Sequence, residues 1–344
     1  MKKVIHITND LQRLGGVQRL LIDLMTLQKE QFQFEVILTR GDNEYMDELK
    51  ALGVSVYHKR DLGLLGVIRR LNKADLVHAH LFPSVYIALL SSTLKIATEH
   101  NPNYRRRKLP FVKALESVLF RNFESVICIS KGVQRSFTKA MRWDIKQVTV
   151  VNNGVDLKRF TMKARKISTF NSVFKICMVG RLVTAKDITT LIKCIKQLGS
   201  GYELHLAGDG ELRPDLELLV SELNVEQQVV FHGQVNDIPT FLTEMDLYVQ
   251  SSNWEGFGLA AVEAMATGLP CFATNVDGLN EVVDEDSLFE VGDVEKLIGM
   301  VKEISSDVDL YNGNSNRAVV LARDFSIEKA AENHTQLYNR ILTG

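Results

Sequence analysis

The chain repeats one pattern twice: short runs rich in Val and Ile alternate with longer segments whose apolar residues recur at helical spacing. In the first half, the strand-like runs lie at 4–8, 34–39, 54–58, 75–80, 94–100, 125–130 and 147–153. Continuous apolar runs separated by helices are typical of a parallel sheet covered by helices on both faces. The first half therefore predicts a doubly wound α/β domain.

The same pattern begins again after a polar stretch. In the second half the strand-like runs lie at 174–180, 203–208, 228–233, 246–251, 270–274 and 288–292. We therefore predict two Rossmann-like domains, 1–158 and 174–325, joined by a linker at 159–173. The amphipathic helix predicted at 326–343 is expected to pack back on the first domain. Ligands of open parallel sheets bind beyond the carboxyl ends of the strands, so two facing domains would form a cleft there.

The composition is that of an ordinary globular protein, with 344 residues, 45% hydrophobic and 24% charged. No apolar run reaches the ~18 residues that a membrane-spanning helix needs. The opening MKKVIHITND turns polar by Thr8, which favours a first strand over a signal peptide. The four cysteines are far apart and form no C-x-x-C, which predicts buried, reduced thiols in a cytoplasmic protein.

Charge is distributed unevenly along the chain. Residues 1–160 hold 26 Lys and Arg against 15 Asp and Glu, and the remainder holds 15 against 27. The basic cluster Arg105, Arg106, Arg107 and Lys108 precedes an apolar-rich helical segment at 109–123. We interpret the helix as packed in the core and the cluster as a patch for anionic membrane or lipid phosphate. No nucleic-acid-binding motif or aromatic interleaving is present, so nucleic acid is not predicted as a partner.

Two cations follow the strand-like run at 174–180. Arg181 and Lys186 lie in one strand-to-helix loop that begins at Gly180. A diphosphate needs such a pair together with a helix N-terminus. The alternative is two solvated surface cations.

The segment NWEGFGLAAVEAMATGLP, at 253–270, follows the run at 246–251. Gly256 and Gly258 leave backbone amides open where a helix begins, which favours an anion site. Glu263 lies roughly 12 Å beyond Glu255 by helical rise, too far for two carboxylates that flank one glycosidic bond. The spacing therefore favours a ligand clamp; the alternative is a loop charge and a solvated helix glutamate.

Other loops offer backbone groups. Gly208-Asp209-Gly210-Glu211 is not a dinucleotide fingerprint, and we interpret its glycines as a tight turn. The loop 233–235 follows another strand, and its backbone can read the edge of a base. Gly15 and Gly16 can face an anion from the first domain, unless they form a plain turn.

Three histidines lie at strand ends. His78 and His80 share one face of a strand, but no third ligand is obvious, so no metal site is predicted. His100 follows the strand 94–100, where an active-site group would lie; the alternative is a surface histidine.

These residues stand in motifs that resemble the retaining glycosyltransferases of family 4, which have the GT-B fold of two Rossmann-like domains. The resemblance covers nearly the whole chain. The motifs are ICIS at 127–130, VNNGVDLKRF at 151–160, VGRLVTAKD at 179–187, AGDGELRPDLE at 207–217, HGQVNDIPTFLTEMDLYVQSS at 232–252 and EGFGLAAVEAMATGLP at 255–270.

The resemblance implies roles for individual residues. Catalytic roles fall to Arg181 and Lys186, which would hold the donor diphosphate, and to Glu255 and His100 at the donor sugar. The other implied donor-binding residues are Glu263 at the nucleotide ribose, the amides of Phe257, Gly258 and Leu259 at the phosphates, Gly16, Gly180 and Val235. Gly15 and the cluster 105–108 would lie on the acceptor or membrane side.

The sequence departs from the family pattern at two places. Asp187 stands where the family often has Gly, and Asp277-Gly278-Leu279-Asn280-Glu281 stands where it often has Gly-Gly-x-x-Glu. Neither departure removes a charge that the chemistry needs.

The implied activity is retaining transfer from a nucleotide-diphosphate sugar, with UDP favoured, to a saccharide or lipid-linked saccharide acceptor. Cell-surface polysaccharide or glycolipid assembly at the inner face of the cytoplasmic membrane is the expected setting. No metal or other cofactor is expected, since no Asp-x-Asp stands at a predicted strand end. A front-face displacement fits the absence of an evident nucleophile. The alternatives are a non-hydrolysing nucleotide-sugar epimerase, which the EGFGL…EAMA context disfavours, and a catalytically dead scaffold, which the presence of Arg181, Lys186 and Glu255 disfavours.

Overall fold

A computed structural model describes residues 1–13, 16–170 and 173–343. The chain divides into two compact units. The first runs to Gly154 and also includes the C-terminal stretch from Ile327; the second is Val155–Ser326.

The strands, in chain order, are β1 (Lys2–Thr8), β2 (Phe32–Leu38), β3 (Ser55–His58), β4 (Leu76–His80), β5 (Lys95–Glu99), β6 (Ser125–Cys128), β7 (Val148–Val150), β8 (Phe174–Val179), β9 (Tyr202–Ala207), β10 (Val229–Gly233), β11 (Leu247–Gln250), β12 (Cys271–Thr274) and β13 (Leu288–Phe289). The helices are α1 (Gly16–Gln28), α2 (Met46–Ala51), α3 (Lys59–Leu71), α4 (Ser84–Ala88), α5 (Pro110–Leu119), α6 (Lys131–Met141), α7 (Ile188–Leu198), α8 (Arg213–Glu222), α9 (Ile238–Thr243), α10 (Leu259–Ala266), α11 (Val294–Ile304), α12 (Val308–Ala322) and α13 (Ile327–Thr343).

Each unit contains one parallel sheet. Within the described residues, the first sheet has the strand order β3-β2-β1-β4-β5-β6-β7 and the second the order β10-β9-β8-β11-β12-β13. Every neighbouring pair is parallel. The order reverses between β1 and β4 in the first sheet and between β8 and β11 in the second. Loops diverge at such switch points, and ligands of doubly wound folds bind there. The predicted α/β class with two Rossmann-like domains is confirmed.

The apolar periodicity explains how the helices pack. Leu20 and Leu24, one turn apart on α1, are buried against Ile327, Ala330 and Ala331 of α13. The next positions of α1, Leu21 and Met25, lie in the core of the first sheet together with Leu337 and Tyr338 of α13. Burying each such leucine stabilises the fold by roughly 1.5–3 kcal/mol. The C-terminal helix is thus part of the first unit, although it follows the second in sequence.

The segment expected as a linker, 159–173, is held on the second unit over its described residues. The Met162 amide donates to the Ala266 carbonyl at 2.9 Å. The Arg165 guanidinium donates to the carbonyls of Leu242, at 2.7 Å, and Met245. These contacts satisfy backbone groups that would otherwise need water, so this stretch is an ordered part of the second unit. Residues 171 and 172 lie outside the described residues.

All four cysteines are buried and free, as predicted. Burial raises the pKa of the Cys194 thiol to about 12. Among the helices that the structure describes, none combines the length and apolar content needed to cross a bilayer.

Candidate active site

The switch point of the second sheet brings together the two charges on which the sequence interpretation depends. Lys186 lies in the loop after β8, and Glu255 lies in the loop after β11. The Lys186 ammonium donates to Oε2 of Glu255 and forms an ion pair with it. Each side chain is 19% exposed, so the pair is partly screened from water and still reachable by a ligand. Residues 69 positions apart thus form one charged centre at the edge where ligands bind.

The loop that carries Lys186 ends at a residue in the left-handed region. Asp187 has φ 44° and precedes α7, and its carboxylate accepts from the Thr190 hydroxyl at 2.6 Å. Aspartate is one of the few residues besides glycine that tolerate this conformation. The departure from the family's glycine therefore falls at a position whose left-handed backbone conformation suits glycine and is tolerated by aspartate.

Polar groups after β11 hold the same loop from the other side. Asn253 donates to the Ala185 carbonyl from its amide nitrogen at 2.8 Å and to the Thr184 carbonyl from Nδ2 at 2.7 Å. The Ser251 hydroxyl lies 3.0 Å from the carbonyls of both Lys186 and Asp187. Ser251 and Asn253 thereby hold the backbone of the loop that carries Lys186 in place beside β11. Sequence reasoning missed both; their signal was two short polar side chains directly after a buried strand.

The glycines of the loop after β9 are required by a close approach. A Cβ at Gly208 would lie 2.0 Å from the Gly180 carbonyl oxygen, and one at Gly210 would lie 2.4 Å from the Leu182 carbonyl oxygen. The Leu182 amide donates to the backbone carbonyl of Asp209 across this contact at 3.0 Å. Gly210 also begins a turn into α8, since the Arg213 amide donates to the Gly210 carbonyl at 3.1 Å, and both glycines permit direct packing of the β9 loop against the loop that carries Arg181.

The first turn of α10 offers backbone donors beside Glu255. Gly258 precedes the helix with φ 102°, and a Cβ there would lie 2.6 Å from Leu279. Phe257 is buried and its ring packs edge-on against Phe325 with 5.4 Å between centroids. The first amides of a helix have no intrahelical acceptor and carry the positive end of the dipole. The segment around Leu259 thus presents helix N-terminal amides at the same edge of the sheet.

The remaining predicted residues of the second unit surround this edge. The Arg181 side chain is exposed and makes no hydrogen bond or ion pair with any residue that the structure describes. Glu263 is half-buried on α10, and Val235 is half-buried in the loop after β10. The edge therefore has one cation already paired with a carboxylate and a second cation, Arg181, available to a ligand.

Gly16 and His100, which the resemblance places at the donor, belong to the first unit. Gly16 is the exposed first residue of α1, and its neighbour Gly15 lies outside the described residues. His100 follows β5 and is buried, with Nε2 lying 3.2 Å from Nδ1 of His80. Burial, with a smaller contribution from His334, lowers the pKa of His100 to about 3. His100 is therefore a neutral, oriented imidazole, and the surface-histidine alternative is wrong.

Two residues of the basic cluster, Arg106 and Arg107, are paired with carboxylates of the first unit. Arg107 is buried, and its guanidinium makes two hydrogen bonds to Glu99, at 2.7 and 3.0 Å, and one to Glu116 at 2.5 Å. Arg106 donates to the same Glu116 at 2.7 Å. These two arginines neutralise buried carboxylates, and the buried Arg107 is not available to lipid. The side chains of Arg105 and Lys108 lie outside what the structure describes.

The helix beside the cluster also differs from the expectation of a core-packed helix. Phe111, Leu115 and Val118 recur at i, i+4 and i+7 on α5 and are 68%, 53% and 64% exposed. Glu116, on the other side of α5, is fully buried. Arg106 and Arg107, which were expected at the surface, are therefore paired with carboxylates within the unit. The apolar face of α5, which was expected in the core, is exposed to solvent.

The strand histidines have a third neighbour that the sequence did not reveal. His6 on β1 pairs in register with His78 on β4, and nitrogens of His6, His78 and His80 lie within 4.8 Å of one another. Sequence spacing did not reveal this third histidine, because its position depends on the β1–β4 pairing. His78 already has partners for both ring nitrogens, the Tyr338 hydroxyl and the Thr98 hydroxyl, each at 2.6 Å. Hydrogen bonds account for this histidine without a metal ion.

Comparisons with known proteins show which family the chain resembles. Models of two families match the chain, "Glycosyltransferase Family 4" over residues 14–159 and "Glycosyl transferases group 1" over residues 161–318. The UDP-Gal:alpha-D-GlcNAc-diphosphoundecaprenol alpha-1,3-galactosyltransferase of Escherichia coli is 26% identical over 363 residues, with 94% of each chain covered. The lipopolysaccharide core biosynthesis glycosyltransferase LpsE of Rhizobium meliloti (strain 1021) is 26% identical over 332 residues, with 94% of this chain and 95% of the relative covered.

Solved structures give the same fold. Anabaena Alr3699/HepE in complex with UDP and glucose has a TM-score of 0.86 against this chain at 18% identity, covering 99% of this chain and 100% of that one. Both halves of the chain match glycosyltransferase families, and the curated relatives extend over nearly its full length. The chain belongs to the glycosyltransferases of GT-B fold.

Proposed function

We propose that the chain moves a sugar, with retention of configuration, from a nucleotide-diphosphate sugar to a saccharide or lipid-linked saccharide acceptor. The assembly of cell-surface polysaccharide or glycolipid is the proposed setting. One observation carries the proposal: Lys186 and Glu255 form an ion pair at the switch point of the second sheet, and the unpaired Arg181 lies in the same loop as Lys186. A ligand that brings two phosphates and several hydroxyls matches two cations, one carboxylate and a helix N-terminus.

The charges assign the chemistry as follows. The bond between the anomeric carbon and the diphosphate oxygen breaks, and its electron pair goes to the leaving phosphate. Arg181, Lys186 and the first amides of α10 stabilise that developing charge more than they stabilise the ground state. The acceptor oxygen forms the new bond on the same face of the sugar, and its proton goes to the leaving phosphate. In this proposal the two cations and the helix take the part that a divalent ion has in metal-dependent transferases.

The two carboxylates, Glu255 and Glu263, are proposed to contact different parts of the donor. Glu255 would accept hydrogen bonds from hydroxyls of the transferred sugar, because its charge repels phosphate unless Lys186 lies between. Glu263, further along α10, would take the nucleotide ribose, and the backbone beside Val235 would read the base. A UDP-sugar is the favoured donor. The printed names of the relatives support it, since the Escherichia coli protein is named for UDP-Gal and the Anabaena structure holds UDP and glucose.

The acceptor side is proposed to work at the inner face of the cytoplasmic membrane. The Escherichia coli relative is named for a diphosphoundecaprenol-linked acceptor. In this chain the exposed stripe Phe111, Leu115 and Val118, with the exposed cations Lys113 and Arg121 nearby on the same segment, has the character of an interfacial helix. We therefore assign the membrane contact to α5 in place of Arg106 and Arg107.

A screen of nucleotide sugars tests the proposal. A donor that binds the folded protein raises its midpoint of thermal unfolding by mass action, and we expect UDP-sugars to give the largest shifts. With that donor and a lipid-diphosphate saccharide, Lys186→Ala should lose transfer by about 100- to 1,000-fold. Lys193→Ala, an exposed lysine on α7, is the matched control and should keep full activity.

Two results would contradict the assignment. Full transfer by the Lys186→Ala variant would remove the diphosphate role. Conversion of the sugar nucleotide without any acceptor would indicate an epimerase.

A further inference from the structure

Three imidazoles form a line across neighbouring strands of the first sheet. His6 on β1, His80 on β4 and His100 directly after β5 are 0%, 2% and 9% exposed. His6 Nδ1 lies 3.1 Å from His80 Nε2, and His80 Nδ1 lies 3.2 Å from His100 Nε2. At the two ends of the line, His6 Nε2 and His100 Nδ1 are buried and have no hydrogen-bond partner among the described residues.

The line permits only two arrangements of protons. Burial first, with neighbouring histidines second, lowers the pKa of all three rings, so each is neutral and has one N–H and one lone pair. Because His80 must donate once and accept once, its two links point the same way. In the first arrangement every Nδ1 is protonated, and His100 Nδ1–H is a donor at the end of the line. In the second every Nε2 is protonated, and His100 Nδ1 is a bare acceptor.

The two ends of the line are both buried, and they differ in their position along the sheet. His6 lies within β1, whereas His100 lies at the carboxyl end of β5, where ligands of such sheets bind. An orphaned buried N–H donor is rarer in proteins than an under-satisfied acceptor. The first arrangement leaves the bare lone pair at the His6 end and places the N–H at the end that lies at the carboxyl edge of the sheet, where ligands of such sheets bind.

We propose that His80 and His6 are positioning residues that fix His100 in the tautomer protonated at Nδ1, ready to donate a hydrogen bond to a substrate oxygen at the carboxyl edge of the first sheet. This inference rests on the proposed transferase function for its substrate, but the tautomer itself does not depend on that function. The hydrogen-bonded line of His6, His80 and His100 is called the relay below.

Nitrogen-15 NMR of the histidine-labelled full-length protein tests the tautomer directly, because protonated and bare ring nitrogens resonate far apart. In the ligand-free wild type we expect His100 to be protonated at Nδ1 alone. In His80→Phe the Nε2 of His100 loses its donor, and in His80→Asn it faces an amide that can present either NH2 or oxygen. Both variants should therefore show a mixture of tautomers, and the asparagine variant decides if the phenylalanine variant does not fold.

His334→Phe is the matched control. His334 belongs to the same buried cluster, but its Nδ1 lies 2.8 Å from the Ala330 carbonyl and it is outside the line. The control should keep the His100 tautomer of the wild type. In transfer assays His80→Asn should lower kcat by about 10- to 100-fold and leave the KM for the donor unchanged, as for other groups that orient an active residue.

The outcomes separate the two proposals. Any of three results would overturn the relay. These are a wild type protonated at His100 Nε2, an unchanged His100 tautomer in both His80 variants, and an equal change of the His100 tautomer in His334→Phe. A metal ion bound to the purified protein at one per chain would also overturn it. If the tautomer behaves as expected but no nucleotide sugar is turned over, the relay stands and the proposed function fails.

Discussion

The ammonium of Lys186 is held by the carboxylate of Glu255 before any donor arrives. This pairing predicts an uncommon result for Glu255→Gln. Removal of the negative charge frees Lys186 for phosphate, so UDP should bind about three- to ten-fold more tightly in calorimetry. The same change removes the group proposed to hold the sugar hydroxyls, so kcat should fall roughly 100-fold. Glu217→Gln, which breaks a surface ion pair with Arg213, is the control and should change neither value. Weaker UDP binding with normal turnover in Glu255→Gln would contradict both assignments.

The Ser251 hydroxyl should matter through the loop that it holds. Ser251→Ala leaves the buried carbonyls of Lys186 and Asp187 with one donor fewer, which we expect to cost about 1 kcal/mol of unfolding free energy. The displaced lysine should lower kcat about ten-fold, since small errors of position are costly in catalysis. Urea titration and transfer assays measure the two effects. Ser305→Ala, which also loses one hydroxyl contact of the second unit, should show the stability effect alone. Equal activities in the two variants would show that Ser251 does not position Lys186.

The sequence predicted the sheets well because their signal is local. The run expected at 94–100 is β5 at Lys95–Glu99, and the one at 246–251 is β11 at Leu247–Gln250. Continuous burial on both faces makes such strands readable without knowledge of their neighbours. The position of Lys186 and Glu255 at strand ends follows from the same pattern together with the rule for doubly wound sheets.

What the sequence could not predict depends on contacts between distant segments. Arg107 is buried because Glu99 and Glu116 reach it from a strand and a helix, and a run of four basic residues gives no sign of that. His6 meets His78 only through the pairing of β1 with β4. Gly208 is needed because the Gly180 carbonyl passes above it, which no local turn signal reveals.

The buried histidines should make the first unit sensitive to acid. Burial, with His334 as the second cause, lowers the pKa of His6 to about 3, and burial lowers that of His334 to about 4, whereas the unfolded chain titrates near 6.5. Below pH 6.5 the unfolded state therefore binds more protons than the folded state. The free energy of unfolding is at its full value above that pH and falls as the pH drops toward 4. Relative to neutral pH, the lowered pKa of each of these two histidines should reduce the free energy of unfolding by about 2 kcal/mol at pH 5.

Two single-tryptophan variants separate the units in this experiment. Trp254→Phe leaves Trp143 as the reporter of the first unit, and Trp143→Phe leaves Trp254 as the reporter of the second. Urea midpoints followed by fluorescence from pH 7.5 to 5 should fall more steeply for Trp143. Parallel curves for the two reporters would show that the cluster is not the source of acid sensitivity.

Arg107 should be a stability residue. Arg107→Met removes the guanidinium that pairs with the buried carboxylates of Glu99 and Glu116. Loss of one partner of a buried ion pair lowers the free energy of unfolding by about 3–5 kcal/mol. We expect a strongly lowered urea midpoint for the first unit, read from Trp143. Arg121→Met, an exposed arginine beside the same helix, should be neutral in the same measurement. A stable Arg107→Met protein with reduced vesicle binding would restore the original interpretation of the basic cluster.

The apolar stripe of α5 should carry the membrane contact. Leu115→Gln replaces a half-exposed leucine at the centre of the stripe, so it should lower co-sedimentation with vesicles that contain anionic lipid and leave the unfolding midpoint unchanged. The expected loss is roughly ten-fold in the partition coefficient, because the apolar contribution of one leucine is about 1.5 kcal/mol. Leu218→Gln, an equally exposed leucine on α8 of the second unit, is the matched control and should bind vesicles as the wild type does. Equal loss in both variants would mean that binding follows overall surface hydrophobicity, and no loss in either would remove α5 from the membrane proposal.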